Sequence, residues 1–321
     1  GFCARERRFP RGFRVRALVV GYGSIGARHT RLLRALGCTV AVVSRRPIDH
    51  APHYPTLAEA LAREQPGYVV IANRTSEHAA TLSELLAGGF DGPVLVEKPL
   101  FDAPTDISAA RSMNVFVAYN LRFHPVIQAV RDFLRNENPV SAHAYAGQYL
   151  PLWRPGTDYR DSYSARRQQG GGVLRDLSHE LDYLLWLLGN WRGATAAGGH
   201  FSSLEIDSDD VFAVMMNTER CPVVTANMNY LDRTGQRRLV INTDKHTLRA
   251  DLVAGSLDID GNVRHFETSR DQPYLLQHKA VLENHIADLC TAEEGLEIVR
   301  LIDAVERSAG RAWVSNSRHV A

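Results

Sequence analysis

Cysteine is scarce in this chain, and its positions follow no pairing pattern. The 321 residues include four cysteines, none in CxxC spacing: Cys3, Cys38, Cys221 and Cys290. This scatter excludes a disulfide scaffold or zinc framework and is typical of a reduced, cytoplasmic protein. The 13 histidines do not change this, because His50 with His53, and His278 with His285, lack further ligands at zinc spacing. We expect no bound metal.

Long apolar runs and an excess of charge of one sign are also missing. No run of about 18 apolar residues occurs, which excludes a membrane-spanning helix. The 37 basic and 36 acidic residues give a formal net charge of +1, so no overall field favours nucleic acid or an anionic membrane. The basic arm at 1–14 lacks the apolar stretch of a secretory signal, and we interpret it as a flexible tail or, alternatively, an oligomer contact.

What is present first is an alternating pattern. Short β-branched runs alternate with helical patterns over 16–120, which is typical of a parallel sheet with crossover helices. Strands are predicted at 17–20, 39–43, 68–72, 94–96 and 115–119, and helices at 25–36, 57–63, 77–87 and 107–112.

After position 120 this alternation ends. We predict a helix at 125–134, a strand at 140–149, an irregular segment at 150–169, and one apolar helix from the glycines at 170–172 to 188. Strand-like runs at 211–216, 223–230, 237–242 and 247–252 have no crossover helices, so this sheet should be mostly antiparallel with one face open to another subunit. Helices at 274–289 and 293–308 close the chain.

A glycine-rich turn, GYGSIG, occupies positions 21–26 between the first predicted strand and helix. Gly21 allows the tight turn, Gly23 lets a pyrophosphate approach the backbone, and Gly26 lets the helix pack on the strand. The helix start, with Ser24 and Ile25, offers amide donors to phosphates. The expected fold is therefore α/β: a dinucleotide-binding Rossmann domain over 14–121 and an α+β domain with an open, mostly antiparallel sheet over 122–321.

The second strand ends in Ser44-Arg45-Arg46, where an NAD enzyme would place a carboxylate for the ribose hydroxyls. A hydroxyl and two guanidinium groups suit the 2′-phosphate of NADP, so NADP is predicted as the preferred cofactor, with NAD as the alternative if Asp49 reaches the ribose. A solvated arginine pair is the alternative interpretation, for Arg46 in particular.

Lys98 directly follows an apolar run at 94–96, within Glu97-Lys98-Pro99. Ligands bind at the carboxyl ends of parallel strands, so the Lys98 ammonium is presented to whatever the glycine turn holds. Pro99 favours an extended Lys98, which aims the side chain instead of winding it into a helix.

A third polar group lies on the apolar helix predicted after the triple glycine. Asp176, His179 and Asp182 follow one another at intervals of three and share one helical face. Carboxylates beside a histidine orient its ring and tune its pKa, as expected of a general acid or base. A buried, hydrogen-bonded histidine without a catalytic role is the alternative.

Together, the glycine turn, Glu97-Lys98-Pro99, the stretch YNLRFHP at 119–125 and the helix at 170–182 resemble the Gfo/Idh/MocA oxidoreductases over nearly the whole chain. The resemblance implies hydride transfer between a nicotinamide cofactor and a sugar or cyclitol carbon. It also implies that Lys98 and His179 handle the hydroxyl proton and that Asp176 positions substrate or histidine. Residues implied to line the cofactor site are Asn73, His78, Glu97, Lys98, Asn120 and Arg122, with Arg122 also near substrate.

Two departures from the family pattern bear on these roles. The family has four steps from the aspartate to the histidine, whereas Asp176 and His179 are three apart and Glu180 stands at the usual place. Because His179 and Asp182 keep the family separation, we interpret this as a one-residue deletion. At 73–75 this chain has Asn-Arg-Thr where the family commonly has Thr-Pro-Asn. A carboxylate facing Lys98 would oppose its action as a base, so we predict that Glu97 points away.

The segment between the second domain's first strand and the triple glycine is rich in aromatic and basic residues, which suit stacking on a sugar ring or base and binding of a carboxylate or diphosphate. The predicted substrate-binding residues here are Trp153, Arg154, Tyr159 and Arg166, beside Tyr163, Arg160 and Arg167. A solvated loop is the alternative.

The sequence therefore predicts an NAD(P)-dependent dehydrogenase or reductase acting on a CH–OH group of a sugar, acidic sugar or sugar nucleotide. Its expected partners are a small sugar-type substrate and further copies of itself, as a homodimer or homotetramer formed through the open sheet. Two alternatives are a redox-neutral sugar enzyme with tightly bound NAD and a non-catalytic regulator that binds NADP or sugar.

Overall fold

A computed structural model describes residues 15–50, 52–106 and 114–309. Contacts between residues divide the chain into two compact units, 1–130 with 265–299, and 131–264 with 300–321. The basic arm and the helix predicted at 107–112 lie outside the described residues. The domain limits 14–121 and 122–321 stay a prediction; the segment 265–299, which they assign to the second domain, belongs to the first unit.

A mostly parallel sheet forms the centre of the first unit. Within the described residues it has seven strands in the order β15-β6-β5-β4-β1-β2-β3. They are β1 Arg16–Val20, β2 Thr39–Val43, β3 His53–Tyr54, β4 Tyr68–Ile71, β5 Val94–Val96, β6 Val115–Val117 and β15 Cys290–Thr291. Strands β1 to β6 are parallel and β15 pairs antiparallel with β6, which confirms the predicted Rossmann sheet. The unpredicted edge strands β3 and β15 are two residues long, too short to show a period.

The helices of the first unit begin and end close to the predicted limits, with one exception. They are α1 Ser24–Ala35, α2 Leu57–Glu64, α3 His78–Ala87, α7 Gln272–Leu282 and α4 Pro125–Leu134, whose last four residues are assigned to the second unit. The helix predicted at 274–289 ends at Leu282, because Asn284 takes a left-handed conformation with φ 57° and a short 3-10 turn, Ile286–Asp288, follows. Helix α1 buries His29 together with Leu32 and Leu33 against the sheet.

The second unit contains a mostly antiparallel sheet, as predicted, with the order β14-β13-β12-β11-β7-β10-β9-β8 within the described residues. Its strands are β7 Pro139–Gly147, β8 Trp191–Gly199, β9 Val211–Thr218, β10 Val223–Asn229, β11 Gln236–Thr243, β12 Thr247–Asp251, β13 Ser256–Ile259 and β14 Asn262–His265. Strands β7 and β10 pair in parallel, whereas β8–β9, β9–β10, β7–β11, β11–β12 and β12–β13 are antiparallel. Burial alternates along β9 and β10, so one face is buried and the other carries exposed side chains such as Met215 and Val223.

The prediction of a single helix from the triple glycine to 188 is wrong in one respect. The structure divides this helix into α5 Val173–Asp176 and α6 His179–Leu188. Between them the backbone tightens to 3-10 type bonds, from Ser178 N to Arg175 O and from Glu180 N to Leu177 O. Helix α8, Ala292–Ala309, is the last described element. In the described part of the chain, no helix combines the length and the apolarity needed to cross a bilayer.

Candidate active site

The glycine turn follows β1 and opens α1, and its geometry explains each glycine. Gly21 has φ +98°, and a Cβ added there would lie 2.6 Å from the Ala72 oxygen and the Asn73 nitrogen. A Cβ at Gly26 would collide with the Gly21 carbonyl oxygen. At Gly23 an added Cβ would meet no described atom within 4 Å, and Gly23 caps α1 without a side-chain hydrogen bond. The space beside Gly23 is therefore open at the start of α1, where the first amides of a helix, here including those of Ser24 and Ile25, lack intrahelical acceptors and can bind a phosphate.

Asn73 and His78 follow β4, the strand beside β1. The Asn73 amide nitrogen donates to Thr81 Oγ1 at 2.8 Å, whereas its buried Oδ1 has no hydrogen-bond partner among the described residues. Such an oxygen next to the glycine turn fits a donor supplied by a bound dinucleotide. His78 is buried, with Nδ1 3.1 Å from the Leu100 oxygen, and burial lowers its pKa, so the ring links this loop to the segment after Lys98.

Ser44, Arg45 and Arg46 lie after β2 as predicted, and each has a measurable local role. Ser44 Oγ donates to the Arg46 carbonyl at 2.9 Å. Arg45 is 80% exposed and forms a 2.7 Å ion pair with Glu77, and Arg46 is exposed. The two guanidinium groups thus stand at the surface of this strand end, where a phosphate would have to displace or join Glu77.

Glu97 and Lys98 follow β5, which lies beside β4 in the sheet. Glu97 Oε1 is 2.7 Å from His29 Nε2, and the Lys98 amide donates to Glu97 Oε2 at 3.1 Å. Burial alone would raise the pKa of Glu97, but the hydrogen bond from His29, together with Lys98, holds it below its ordinary value. Glu97 is therefore a buried anion directed at His29, and the Lys98–Pro99 peptide bond is cis.

Asn120 and Arg122, the last predicted residues of this unit, are both buried. Arg122 Nη1 lies 3.2 Å from both carboxylate oxygens of Glu294 and 3.4 Å from the Leu289 carbonyl oxygen. This guanidinium therefore ties the stretch after β6 to the start of α8, and its contact with cofactor or substrate stays a prediction.

The second unit holds Asp176 at the end of α5. Its carboxylate accepts a 2.6 Å hydrogen bond from the Tyr230 hydroxyl. Tyr230 is fully buried, and burial followed by the charge of Asp176 raises its pKa well above the ordinary value. Trp153 packs edge-on to Tyr230 with ring centroids 5.2 Å apart, so one predicted substrate residue contacts the partner of Asp176.

The break between α5 and α6 bears on the shortened spacing from Asp176 to His179. In a 3-10 turn, side chains three apart eclipse, so we expect His179 to follow Asp176 on the same side despite the missing residue. Glu180, which stands at the usual sequence position of the family histidine, is fully buried and pairs with Arg237 Nε at 2.9 Å. Glu180 is therefore part of the interior of this unit, whereas His179 is 9% exposed.

The segment predicted as irregular folds into four short 3-10 turns, Leu150–Leu152, Tyr159–Asp161, Tyr163–Ala165 and Arg167–Gln169. A small pocket among them is lined by Leu150, Trp153, Arg154, Thr157, Tyr159, Ser162 and Ser164. Arg154 lies 5.1 Å from the Tyr163 ring centroid, whereas Arg166 is exposed and Arg160 is paired with Asp158 and Glu205. Three predicted substrate residues thus share one pocket, and Arg166 is not among its lining residues.

Two residues that the sequence interpretation missed are His29 and Tyr230. His29 contacts Glu97 across 68 positions and His278 across 249, and Tyr230 contacts Asp176 across 54. The available signal for His29 was a polar residue on the buried face of the helix that opens at the glycine turn.

Two family profiles match this chain. An oxidoreductase family profile, described as an NAD-binding Rossmann fold, matches residues 15–114, and the GFO/IDH/MocA C-terminal domain matches residues 128–249. No curated protein sequence matches the chain significantly.

Solved structures with the same fold are numerous. GenD2 from gentamicin A biosynthesis, in complex with NAD, is 23% identical with a TM-score of 0.77 and covers 97% of this chain and 99% of its own. The WlbA dehydrogenase from Bordetella pertussis, with NADH and UDP-GlcNAcA, is 19% identical with a TM-score of 0.76, over 92% and 95%. UDP-N-acetylglucosamine 3-dehydrogenase GnnA from Acidithiobacillus ferrooxidans is 20% identical with a TM-score of 0.72, over 92% and 98%. At these identities the likeness establishes the fold.

Proposed function

The chain belongs to the Gfo/Idh/MocA oxidoreductase family, with its NAD-binding Rossmann fold, and on that premise we propose that it transfers hydride between a nicotinamide cofactor and a CH–OH carbon of a sugar, acidic sugar or sugar nucleotide. The observation that carries the proposal is the alignment of β1, β4 and β5, which are parallel neighbours. Their carboxyl ends lead into Gly21, Asn73 and Lys98, at the edge where such sheets bind ligands.

The residues of the glycine turn would hold the pyrophosphate through the amides of α1, and Asn73 Oδ1 would accept a bond from the dinucleotide. The bound cofactor supplies the hydride chemistry, and the protein supplies orientation and charge. The Glu97 anion favours the ammonium form of Lys98, so we assign Lys98 to hydrogen-bond the reacting oxygen and stabilise its developing negative charge. His179 then exchanges the hydroxyl proton, and Asp176, held by Tyr230, positions substrate or the ring.

For the substrate we propose an anionic sugar or sugar nucleotide bound at the pocket that contains Trp153, Arg154 and Tyr159. An aromatic ring and a guanidinium group in one pocket suit a sugar face and a carboxylate or diphosphate. The comparison structures that carry UDP-GlcNAcA or act on UDP-N-acetylglucosamine make these two compounds the first to try.

For the cofactor we propose NAD(P), with NADP favoured by Arg45 and Arg46 after β2. We also propose a cytoplasmic homodimer or homotetramer joined through the exposed face of the second sheet. Exposed Met215 and Val223 on that face support the oligomer, and the buried cysteines Cys38, Cys221 and Cys290, which form no disulfide with one another, support the cytoplasmic assignment.

The test is reduction of NAD and NADP, measured by absorbance, with UDP-N-acetylglucosamine, UDP-GlcNAcA and uncharged sugars. We expect turnover with at least one nucleotide sugar, and a Michaelis constant raised about tenfold or more in Arg154→Ala, the loss expected from one charge-assisted contact. Failure of both dinucleotides to bind, measured by calorimetry, would contradict the dehydrogenase assignment. Turnover without net reduction of added cofactor would instead favour redox-neutral chemistry.

A further inference from the structure

A continuous chain of buried hydrogen bonds leads from the middle of the first sheet to Glu97. The Tyr68 hydroxyl lies 2.9 Å from His278 Nδ1, His278 Nε2 lies 2.8 Å from His29 Nδ1, and His29 Nε2 lies 2.7 Å from Glu97 Oε1. Tyr68, His29 and His278 are each 0% exposed. Strand β4, helix α1 and helix α7 thus each contribute one member, and all belong to the first unit.

The proton positions along this hydrogen-bond chain follow from the groups at its two ends, Tyr68 and Glu97. The Tyr68 hydroxyl has no other acceptor among the described residues, so leaving its buried O–H unbonded would be costly, and it must donate to His278 Nδ1. Burial lowers the pKa of His278 well below its ordinary value, so the ring is neutral and its one N–H, on Nε2, donates to His29. His29 then receives at Nδ1 and donates from Nε2 to the carboxylate. Every bond points towards Glu97.

Few other charged groups surround the hydrogen-bond chain from Tyr68 to Glu97. The Tyr274 ring lies edge-on to His29 at 5.9 Å and carries Arg28 over its own face at 5.2 Å. Neutral His78, the Lys98 amine and the Cys38 thiol are the other titratable groups that interact with Glu97 or Tyr68. Lys98 directly follows Glu97 in the sequence, and its backbone amide donates to the second oxygen of the Glu97 carboxylate.

We propose that Tyr68, His278 and His29 are positioning residues that hold Glu97 ionised and in place, so that Glu97 orients the Lys98 backbone and keeps the Lys98 amine charged. The role assigned to Lys98 rests on the proposed function, but the hydrogen-bond chain does not. A carboxylate with one ring donor and one amide donor cannot rotate without losing both bonds, which fixes the residue that precedes the reacting amine.

The experiment measures the amine directly and requires no substrate. The chain has three lysines, Lys98, Lys245 and Lys279, so trace acetylation with acetic anhydride across a pH series, followed by peptide mass spectrometry, gives a titration midpoint for each. Lys245 lies in the second unit and serves as the internal reference. The variants are His29→Phe, His29→Gln, His278→Gln, Tyr68→Phe and Glu97→Gln, with His285→Gln as the matched exposed control.

We expect the Lys98 midpoint to fall by about one pH unit or more in His29→Phe and Glu97→Gln, because a carboxylate without its donor protonates when buried. His29→Gln, whose amide both donates and accepts, should restore most of the shift, and Tyr68→Phe and His278→Gln should give smaller falls in the same direction. His285→Gln should give none.

An unchanged Lys98 midpoint in folded His29→Phe, or in Tyr68→Phe and His278→Gln if His29→Phe does not fold, would overturn the proposal. A shift in His29→Phe without one in Glu97→Gln would also overturn it, because the effect would bypass the carboxylate. If the midpoints move as expected while no sugar substrate turns over, the hydrogen-bond chain stands and the proposed dehydrogenase activity fails.

Discussion

Glu97 in the first unit and Asp209 in the second are both buried carboxyl groups, yet their pKa values move in opposite directions. Burial pushes both pKa values up. At Glu97 the His29 ring and Lys98 outweigh it and the pKa falls, whereas at Asp209 burial prevails over the Leu174 amide and raises the pKa to about 6. Charge and donors in contact, not depth, therefore decide whether a buried carboxyl group stays ionised.

The two carboxyl groups also differ in what they contact: Glu97 adjoins a residue with a proposed chemical role, whereas Asp209 supports the fold. Glu97 directly precedes the lysine to which we assign the reacting oxygen. Asp209 Oδ2 instead accepts the Leu174 amide at 2.9 Å, and the Asp209 carbonyl accepts the Val173 amide, which anchors the start of α5. A Cβ at Gly172 would collide with this carboxylate, so the triple glycine makes room for the anchor.

The largest expected effect is from Lys98→Ala. Loss of the ammonium beside Glu97 should lower kcat by about 10²- to 10⁴-fold, the range for a positioned group that acts on the transferring proton or the reacting oxygen. Dinucleotide affinity should stay nearly unchanged, because the glycine turn and Asn73 are untouched. Steady-state kinetics and calorimetric titration with NAD and NADP check both parts. Lys245→Ala, at an exposed lysine of the other unit, is the control, and full turnover by Lys98→Ala would contradict the assignment.

The next effect concerns Asp209→Asn and the pH dependence of stability. The folded pKa of about 6 lies above the ordinary 3.8, so the stabilisation that Asp209 retains below pH 3.8 is lost as the pH rises through about 6. The asparagine variant does not undergo this loss. Its free energy of unfolding should therefore exceed that of the wild type by up to about 3 kcal/mol at pH 8, from about two pKa units at 1.36 kcal/mol each.

Urea unfolding of Asp209→Asn and the wild type at pH 4, 6 and 8 provides the measurement. The advantage of the variant should grow from pH 4 to pH 8. A constant difference at all three values would show that Asp209 does not titrate in this range.

Glu97→Gln should show the opposite sign. The lowered pKa of Glu97 contributes stability that is present above its ordinary value of 4.5 and is lost as the pH falls through the lowered value. At pH 7 the variant should be less stable by about 1.5 to 3 kcal/mol, the usual contribution of a hydrogen bond to a charged group. The same urea series detects it, and convergence of the two proteins under acid conditions is the diagnostic feature.

Sequence patterns predict the parts of this molecule that depend on near neighbours. The strands β1, β2, β4 and β5, the glycine turn and the position of Lys98 after a strand all follow from periods of a few residues. The hydrogen-bond chain from Tyr68 to Glu97 does not follow from such short periods. His29 and His278 meet across 249 positions, and neither lies in a local motif. The break between α5 and α6 could not be predicted either, because the apolar pattern from Leu174 to Leu188 continues through it.

The smallest expected effect is from Arg45→Ala, because Arg45 carries an exposed charge, whereas Glu97 and Asp209 are both buried. Arg45 is 80% exposed and already paired with Glu77, so water screens most of what it contributes. Arg45→Ala should weaken NADP binding by about three- to tenfold, the worth of one exposed charge-assisted contact, and NAD binding by less. Calorimetric titration with both dinucleotides tests this, with Arg135→Ala as a control because Arg135 is also exposed and ion-paired, in the other unit. Equal weakening for NAD and NADP would remove the 2′-phosphate as the partner of Arg45, and the preference for NADP would then depend on Arg46 and Ser44 alone.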